Sequence, residues 1–117
     1  MTEHTRLAGK ARGRVERQGY EIQDNSGPTK SFNPDIYGTK YARDGTLIEE
    51  VLVEVEVTFD DVWKDHTRKQ LRKAYDYCSF HCKSRRMAIL AVPSDVAGNA
   101  KAMLRVNRLR RIKIWRL

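Results

Sequence analysis

At 117 residues, with 40% hydrophobic and 32% charged side chains, the chain suits one globular domain over residues 1–117 and leaves little room for a second core. No window approaches the roughly 18 apolar residues of a membrane helix, and the polar N-terminus lacks a signal-peptide core, so an intracellular, cytoplasmic protein is expected. A formal net charge of +8 and a pI near 9.8 point to a polyanionic partner, nucleic acid first, unless the charge serves solubility alone.

Residues 2–18 read as a helix. Thr2 or Thr5 can cap it, Leu7, Ala8, Ala11 and Val15 form a thin apolar stripe, and Gly19 is placed to end it. Its other faces carry Arg6, Lys10, Arg12, Arg14 and Arg17, which suit a phosphate backbone or, equally, a solvated surface. Gly9 and Gly13 each weaken the helix by roughly 0.8–1 kcal/mol relative to Ala, so packing must hold it. Tyr20 to Gln23 is a short strand. Residues 24–33 are turn formers and make a loop, in which Lys30, Ser31 and Asn33 could meet phosphates or base edges or could simply connect.

The stretch from Pro34 to Glu56 carries the sharpest signal. Asp44-Gly45 stands between runs rich in β-branched and aromatic residues and marks an antiparallel hairpin. With a two-residue turn Arg43 faces Thr46, and counting outward brings Asp35 opposite Glu54; a three-residue turn would break that pairing unless a bulge restored it. Alternation places Glu56 on the face of Glu54, while Val51, Val53, Val55 and Val57 point the other way, into the core. Facing side chains have Cβ atoms about 4.5–5.5 Å apart, and like charges there repel. Compensation could come from a divalent cation, since Mg²⁺ is typically held by one or two carboxylates with water and substrate phosphate. Nearby Lys and Arg, or a solvated strand face, are the alternatives.

Asp60 or Asp61 offers the cap for a long amphipathic helix over about 62–83. Trp63, Leu71, Ala74, Tyr75, Cys78 and Cys82 share its inner face, and Lys64, Arg68, Arg72, Lys73 and Asp76 lie elsewhere. His66 reads as a surface histidine before a general base. Cys78 and Cys82, with His81 between them, lack the second ligand pair of a structural zinc site and read as small buried residues. Met87 to Val92 is unbroken apolar sequence closed by Pro93, a strand inside a sheet, with the preceding helix as the crossover of a parallel pair. Ser94 or Asp95 caps a shorter helix with Val96, Ala100, Met103 and Leu104 inward, and Ile112 to Leu117 alternates as a strand at or near an edge. The acids gather in residues 44–65 between basic flanks, as suits a site that takes metal and phosphate together.

This succession of helix, three strands, helix and strand, followed by a further helix and strand, has Pro34-Asp35 opening its second strand and Glu54-Val55-Glu56 in its third. It resembles the PD-(D/E)XK nuclease superfamily, nearest to small archaeal Holliday-junction-resolvase-like and repair nucleases, over nearly the whole chain. The resemblance implies an α/β restriction-endonuclease-like fold, an αβββαβ core with a mixed central sheet flanked by helices plus a C-terminal helix and strand. It implies a DNA endonuclease dependent on Mg²⁺ or Mn²⁺, with Asp35 and Glu54 as metal ligands and a homodimer of the resolvase kind. The third motif position departs from the pattern, because Glu56 stands where Lys is usual. Glu56 could act as base or extra ligand, as in some restriction enzymes; the change could abolish activity; or Lys64 or Lys69 could supply the missing ammonium. Gln70 resembles a helix glutamine found near the site in many relatives, although Tyr75 comes one residue later than in the Gln-x-x-x-Tyr signature. Glu16 lies too late in the first helix to be the assisting acid that some relatives place there. Arg6, Lys10, Arg12, Arg14, Lys30, Ser31, Lys64 and Arg68 are the expected nucleic-acid contacts. The competing expectations are a nuclease-fold module that binds nucleic acid without cutting it, and a structural or protein-binding domain.

Overall fold

A computed structural model describes residues 1–24, 27–29, 32–80 and 82–117. Asp44-Gly45 turns the chain between β2 (Ile36–Tyr41) and β3 (Leu47–Val55), but through a three-residue loop. Gly45 N–H donates to Ala42 O at 2.9 Å, Ala42 N–H donates to Thr46 O at 2.8 Å, and Asp44 Oδ1 accepts from Thr46 N–H at 2.9 Å. Gly45 has φ +88°, the left-handed conformation that closes such loops and that glycine adopts without strain. Next to the loop Tyr41 pairs with Leu47, whereas Lys40 already pairs with Glu49, so Ile48 is an extra residue that cancels the one-residue offset. The ladder then runs to Ile36–Val53, and the next step sets Asp35 across from Glu54. The expected register is present, reached through two compensating irregularities in place of a two-residue turn.

The strand β1 (Glu21–Ile22) pairs antiparallel with β2, while β4 (Arg85–Val92) and β5 (Lys113–Arg116) continue parallel from β3. The result is an α/β architecture with a mixed five-stranded sheet in sequential order, β5 at one edge, flanked by helices. On one face lies α1 (Glu3–Arg17), capped by Thr2 Oγ1, which accepts from Thr5 N–H at 3.1 Å, and followed by Gly19 at φ +92°. Its stripe of Leu7, Ala11 and Val15 packs on Val51, Val53 and Val55. Gly38 on β2 permits this approach: a Cβ there would lie 2.9 Å from both Val15 Cγ1 and Val51 Cγ1. Gly38→Ala must push α1 off the sheet, and urea unfolding should show a loss of about 1–3 kcal/mol.

The other face is covered by α2 (Phe59–Trp63), α3 (Asp65–Ser79) and α4 (Ala97–Val106). The single helix expected over 62–83 is therefore two. Lys64, at φ −63° and ψ 146°, breaks it. The break has a packing reason: from Val62 an unbroken helix would next turn His66 inward, whereas the residues actually buried are Thr67, Leu71 and Ala74. Thr58 caps α2, and Asp61 closes a capping box with it, so neither Asp60 nor Asp61 is the cap itself. Since α3 ends at Ser79, Cys82 lies beyond the helix and is exposed, contrary to a buried position; Cys78 is half-buried and both thiols are free. His81 is outside the described residues. Before α4 the chain makes one 3₁₀ turn, Ser94–Val96, and neither Ser94 nor Asp95 caps the helix through its side chain. Among the described residues no helix is long and apolar enough to cross a membrane.

Candidate acidic site at the end of the third strand

The face of β3 that carries Glu50, Leu52 and Glu54 is enclosed by the α2–α3 layer, which removes a solvated acidic face from consideration. Two glutamates thus lie buried on one strand, and they differ. Glu50 is 1% exposed and stands directly across the β3–β4 ladder from Arg86. Its carboxylate accepts from Arg86 Nε at 2.9 Å, Ser84 Oγ at 2.7 Å, Tyr37 OH at 2.6 Å and also from Tyr77 OH. Burial alone would raise its pKa, but these four donors together hold it below the ordinary carboxyl value. The guanidinium is fixed in turn, donating to Tyr77 O at 2.9 Å and lying 3.7 Å from the Tyr77 ring centroid. Burial and the bond to Glu50 push the Tyr77 hydroxyl up to about 12. Glu50 is a satisfied structural charge.

Glu54, four residues on, is 6% exposed and has Asp35 as its hydrogen-bonding neighbour in place of a cation. Its Oε1 is buried without a hydrogen-bond partner, and among the described residues no Lys, Arg or His forms an ion pair with it. Burial, then the charges of Asp35 and Glu56, push its pKa up to about 9. Asp35 is pinned by Val55 N–H, which donates to its Oδ2 at 2.8 Å, and the same oxygen lies 3.5 Å from His4 Nε2. Glu56 is pushed up to about 7, chiefly by burial, with Asp35 and Asp61 adding to the rise while the Thr67 side chain and His4 oppose it. Lys64 Nζ sits 2.9 Å from Asp61 Oδ1, holding that carboxyl low, and its charge also acts on Glu56. Three sequence-expected acids, Asp35, Glu54 and Glu56, are therefore electrostatically coupled at one end of the sheet.

His4 escaped the sequence reading, although its position was visible: it precedes Leu7 by three residues and Ala11 by seven, continuing the buried stripe of α1 toward the site. Glu16, by contrast, is engaged with Arg12 at 3.7 Å. Of the two candidate substitutes for the missing motif lysine, Lys64 is paired with Asp61 and acts on Glu56 through its charge, without an ion pair to Asp35, Glu54 or Glu56. Lys69 and Gln70 line an open concavity on α3 with His66, Arg72 and Asn107, and make no hydrogen bond or ion pair to Asp35, Glu54 or Glu56.

Several expected nucleic-acid contacts already hold carboxylates. Arg6 pairs with Glu3, Arg68 with Asp65, and Arg12 grips Asp24 through two bonds of 2.8 and 3.1 Å. Arg14 lies 4.2 Å from the Trp115 ring centroid, and Lys10 joins Arg14, Arg17 and Arg116 along a shallow groove. Lys30 and Ser31 are outside the described residues.

Among the described residues no group of three His, Cys, Asp or Glu side chains is arranged to hold a metal ion. The arrangement fits a sparser site: Asp35 and Glu54 face each other, one buried oxygen lacks a partner, and Mg²⁺ commonly takes only one or two carboxylates, completing its shell with water and phosphate. No protein-family model, curated protein or solved structure matches this chain. The functional reading therefore rests on the chemistry of these side chains.

Proposed function

We propose that the chain is a metal-dependent nuclease of restriction-endonuclease-like fold that hydrolyses phosphodiester bonds in DNA. The observation that carries this reading is the burial of Glu54 opposite Asp35 without a cationic partner: a nearly buried acid with one unpartnered oxygen keeps its proton up to about pH 9, at a cost to the fold that a bound cation in the proton's place relieves. The order of elements supports it too, with Asp35 entering β2 and Glu54 and Glu56 at the end of β3.

Asp35 and Glu54 are the residues that would hold Mg²⁺ or Mn²⁺. When bound, such an ion polarises a phosphoryl oxygen and lowers the pKa of water. The remaining parts belong to the chain. Glu56, with a pKa near 7, is present in both protonation states at neutral pH and can accept a proton from an attacking water, the task a lysine serves in the more usual motif. Val55 N–H fixes the orientation of Asp35, so that carboxylate does not have to reorganise as charge develops. His4, 3.5 Å from Asp35 Oδ2, can donate to a phosphate, and Lys64, whose charge acts on Glu56, offsets part of the repulsion that the acids alone would exert on it.

The test is cleavage of branched and linear DNA with Mg²⁺ or Mn²⁺ by the wild type and by Asp35→Ala. The wild type should cut, and the variant should lose at least about a hundredfold in rate, the scale associated with removing one preorganised charge-stabilising group. Absence of turnover in the wild type with either ion would leave the second reading, a nucleic-acid-binding module that does not cut.

A further inference from the structure

A further concavity, of about 650 Å³, lies between α4 and the edge strand β5. Lys101, Arg105, Arg110 and Arg116 line it, no carboxylate does, and its floor is apolar, formed in part by Leu104 and Ile114. Among the described residues none of the four cations is held by an acid, unlike Arg6, Arg12, Lys64 and Arg68. Four unneutralised positive charges around one groove repel each other, and the fold keeps them together at an energetic disadvantage that a polyanion relieves.

Position adds a second argument. Val55 pairs with Ala91, so Glu56 lies level with Val92, which pairs with Arg116. Glu56 and Arg116 thus stand in one transverse row, two strand spacings or roughly 10 Å apart, with both side chains on the α3–α4 face. Arg116 also borders the groove beside α1 that holds Lys10, Arg14 and Arg17. Two cationic grooves therefore meet at Arg116, level with the acidic site.

We propose that the α4–β5 groove is a track for single-stranded nucleic acid, with phosphates on Lys101, Arg105, Arg110 and Arg116 and unstacked bases against the Leu104–Ile114 floor. Charge selects the polyanion. The apolar floor selects a single strand, whose bases are free to lie on it, over a duplex, which presents phosphates alone to such a surface. The choice of nucleic acid rests on the function proposed above; the groove itself does not depend on cleavage.

The experiment measures fluorescence anisotropy of a labelled oligothymidylate of about 16 nucleotides, the upper end of single-strand site sizes, with metal-free protein in EDTA across a salt series. Arg105→Glu/Arg110→Glu is compared with the charge-matched Arg43→Glu/Lys83→Glu, whose positions are exposed and do not line the groove. The groove pair should weaken binding at least tenfold and reduce the log–log salt slope by about 1.4, that is about 0.7 for each of two phosphates, while the control pair changes affinity less than about twofold. Arg105→Gln/Arg110→Gln, checked by circular dichroism, gives the same ranking without introducing acids and separates lost contacts from misfolding.

Equal weakening by the groove and control pairs would mean that net charge alone binds, and would overturn the track. Tighter binding of a duplex of the same length, or equal competition by polyglutamate, would overturn the single-strand assignment. Asp35→Ala should bind the oligonucleotide as the wild type does. A wild type that binds through the groove but does not cut DNA with either ion thus counts against the nuclease reading alone, and groove variants that bind normally count against the track alone.

Discussion

Replacing Glu50 by Ala will lower the unfolding free energy by about 3–5 kcal/mol, the scale for removing one partner of a buried ion pair. The loss exceeds that of one hydrogen bond because the substitution leaves Arg86, only 16% exposed in its side chain, without a counter-charge, and leaves the hydroxyls of Tyr37, Tyr77 and Ser84 without their acceptor. Glu50→Gln should lose less, since its amide oxygen still accepts while the charge is gone. Guanidinium unfolding of the two variants measures both. A change below about 1 kcal/mol for Glu50→Ala would mean that the network relaxes or admits water, and that Glu50 is not the structural charge its four donors make it.

Glu54→Gln will act in the opposite direction. In the folded chain Glu54 has a pKa near 9, against an ordinary carboxyl value of 4.5. The folded state therefore holds its proton more tightly than the unfolded state does. That contribution to stability is fully present below about pH 4.5 and is lost as pH rises toward 9. Metal-free wild type should become less stable across that window, with a slope approaching about 1.4 kcal/mol per pH unit for one proton. Glu56, with a pKa near 7, adds to the loss up to neutrality. The neutral amide of Glu54→Gln should flatten the slope and stabilise the metal-free protein by about 1–4 kcal/mol at pH 8, because it removes the cost of keeping a proton on a carboxyl that the unfolded chain releases. The same change should abolish cleavage. A residue whose removal stabilises the fold and eliminates activity is retained for function.

Much of this site was legible in the chain. The alternation of Val51, Val53 and Val55 against Glu50, Leu52 and Glu54 fixed which side chains share a face, and Asp44-Gly45 located the turn. The loop type was not legible, because Asp-Gly suits both a two-residue turn and a three-residue loop closed by glycine; the compensating bulge at Ile48 depends on tertiary packing that no local pattern records. The helix break at Lys64 was hidden for a similar reason. No Gly or Pro stands near it, and only the one-residue change of phase between Val62 and Thr67 marks it. Glu50 was passed over because a buried glutamate is recognised by its partners, and Tyr77, Ser84 and Arg86 come from a helix end, a loop and a neighbouring strand at least 27 residues away. His4 belonged to a stripe read only from Leu7 onward.

Calorimetric titration of Mn²⁺ into the protein at pH 7, in two buffers of different ionisation enthalpy, tests the central claim most directly. If Asp35 and Glu54 together receive the ion, binding must drive off the proton that burial keeps on Glu54, so the account predicts uptake with release of about one proton per ion. Both the binding and the release should disappear in Glu54→Gln. No binding in the wild type, or binding that releases no proton and persists unchanged in Glu54→Gln, would contradict it.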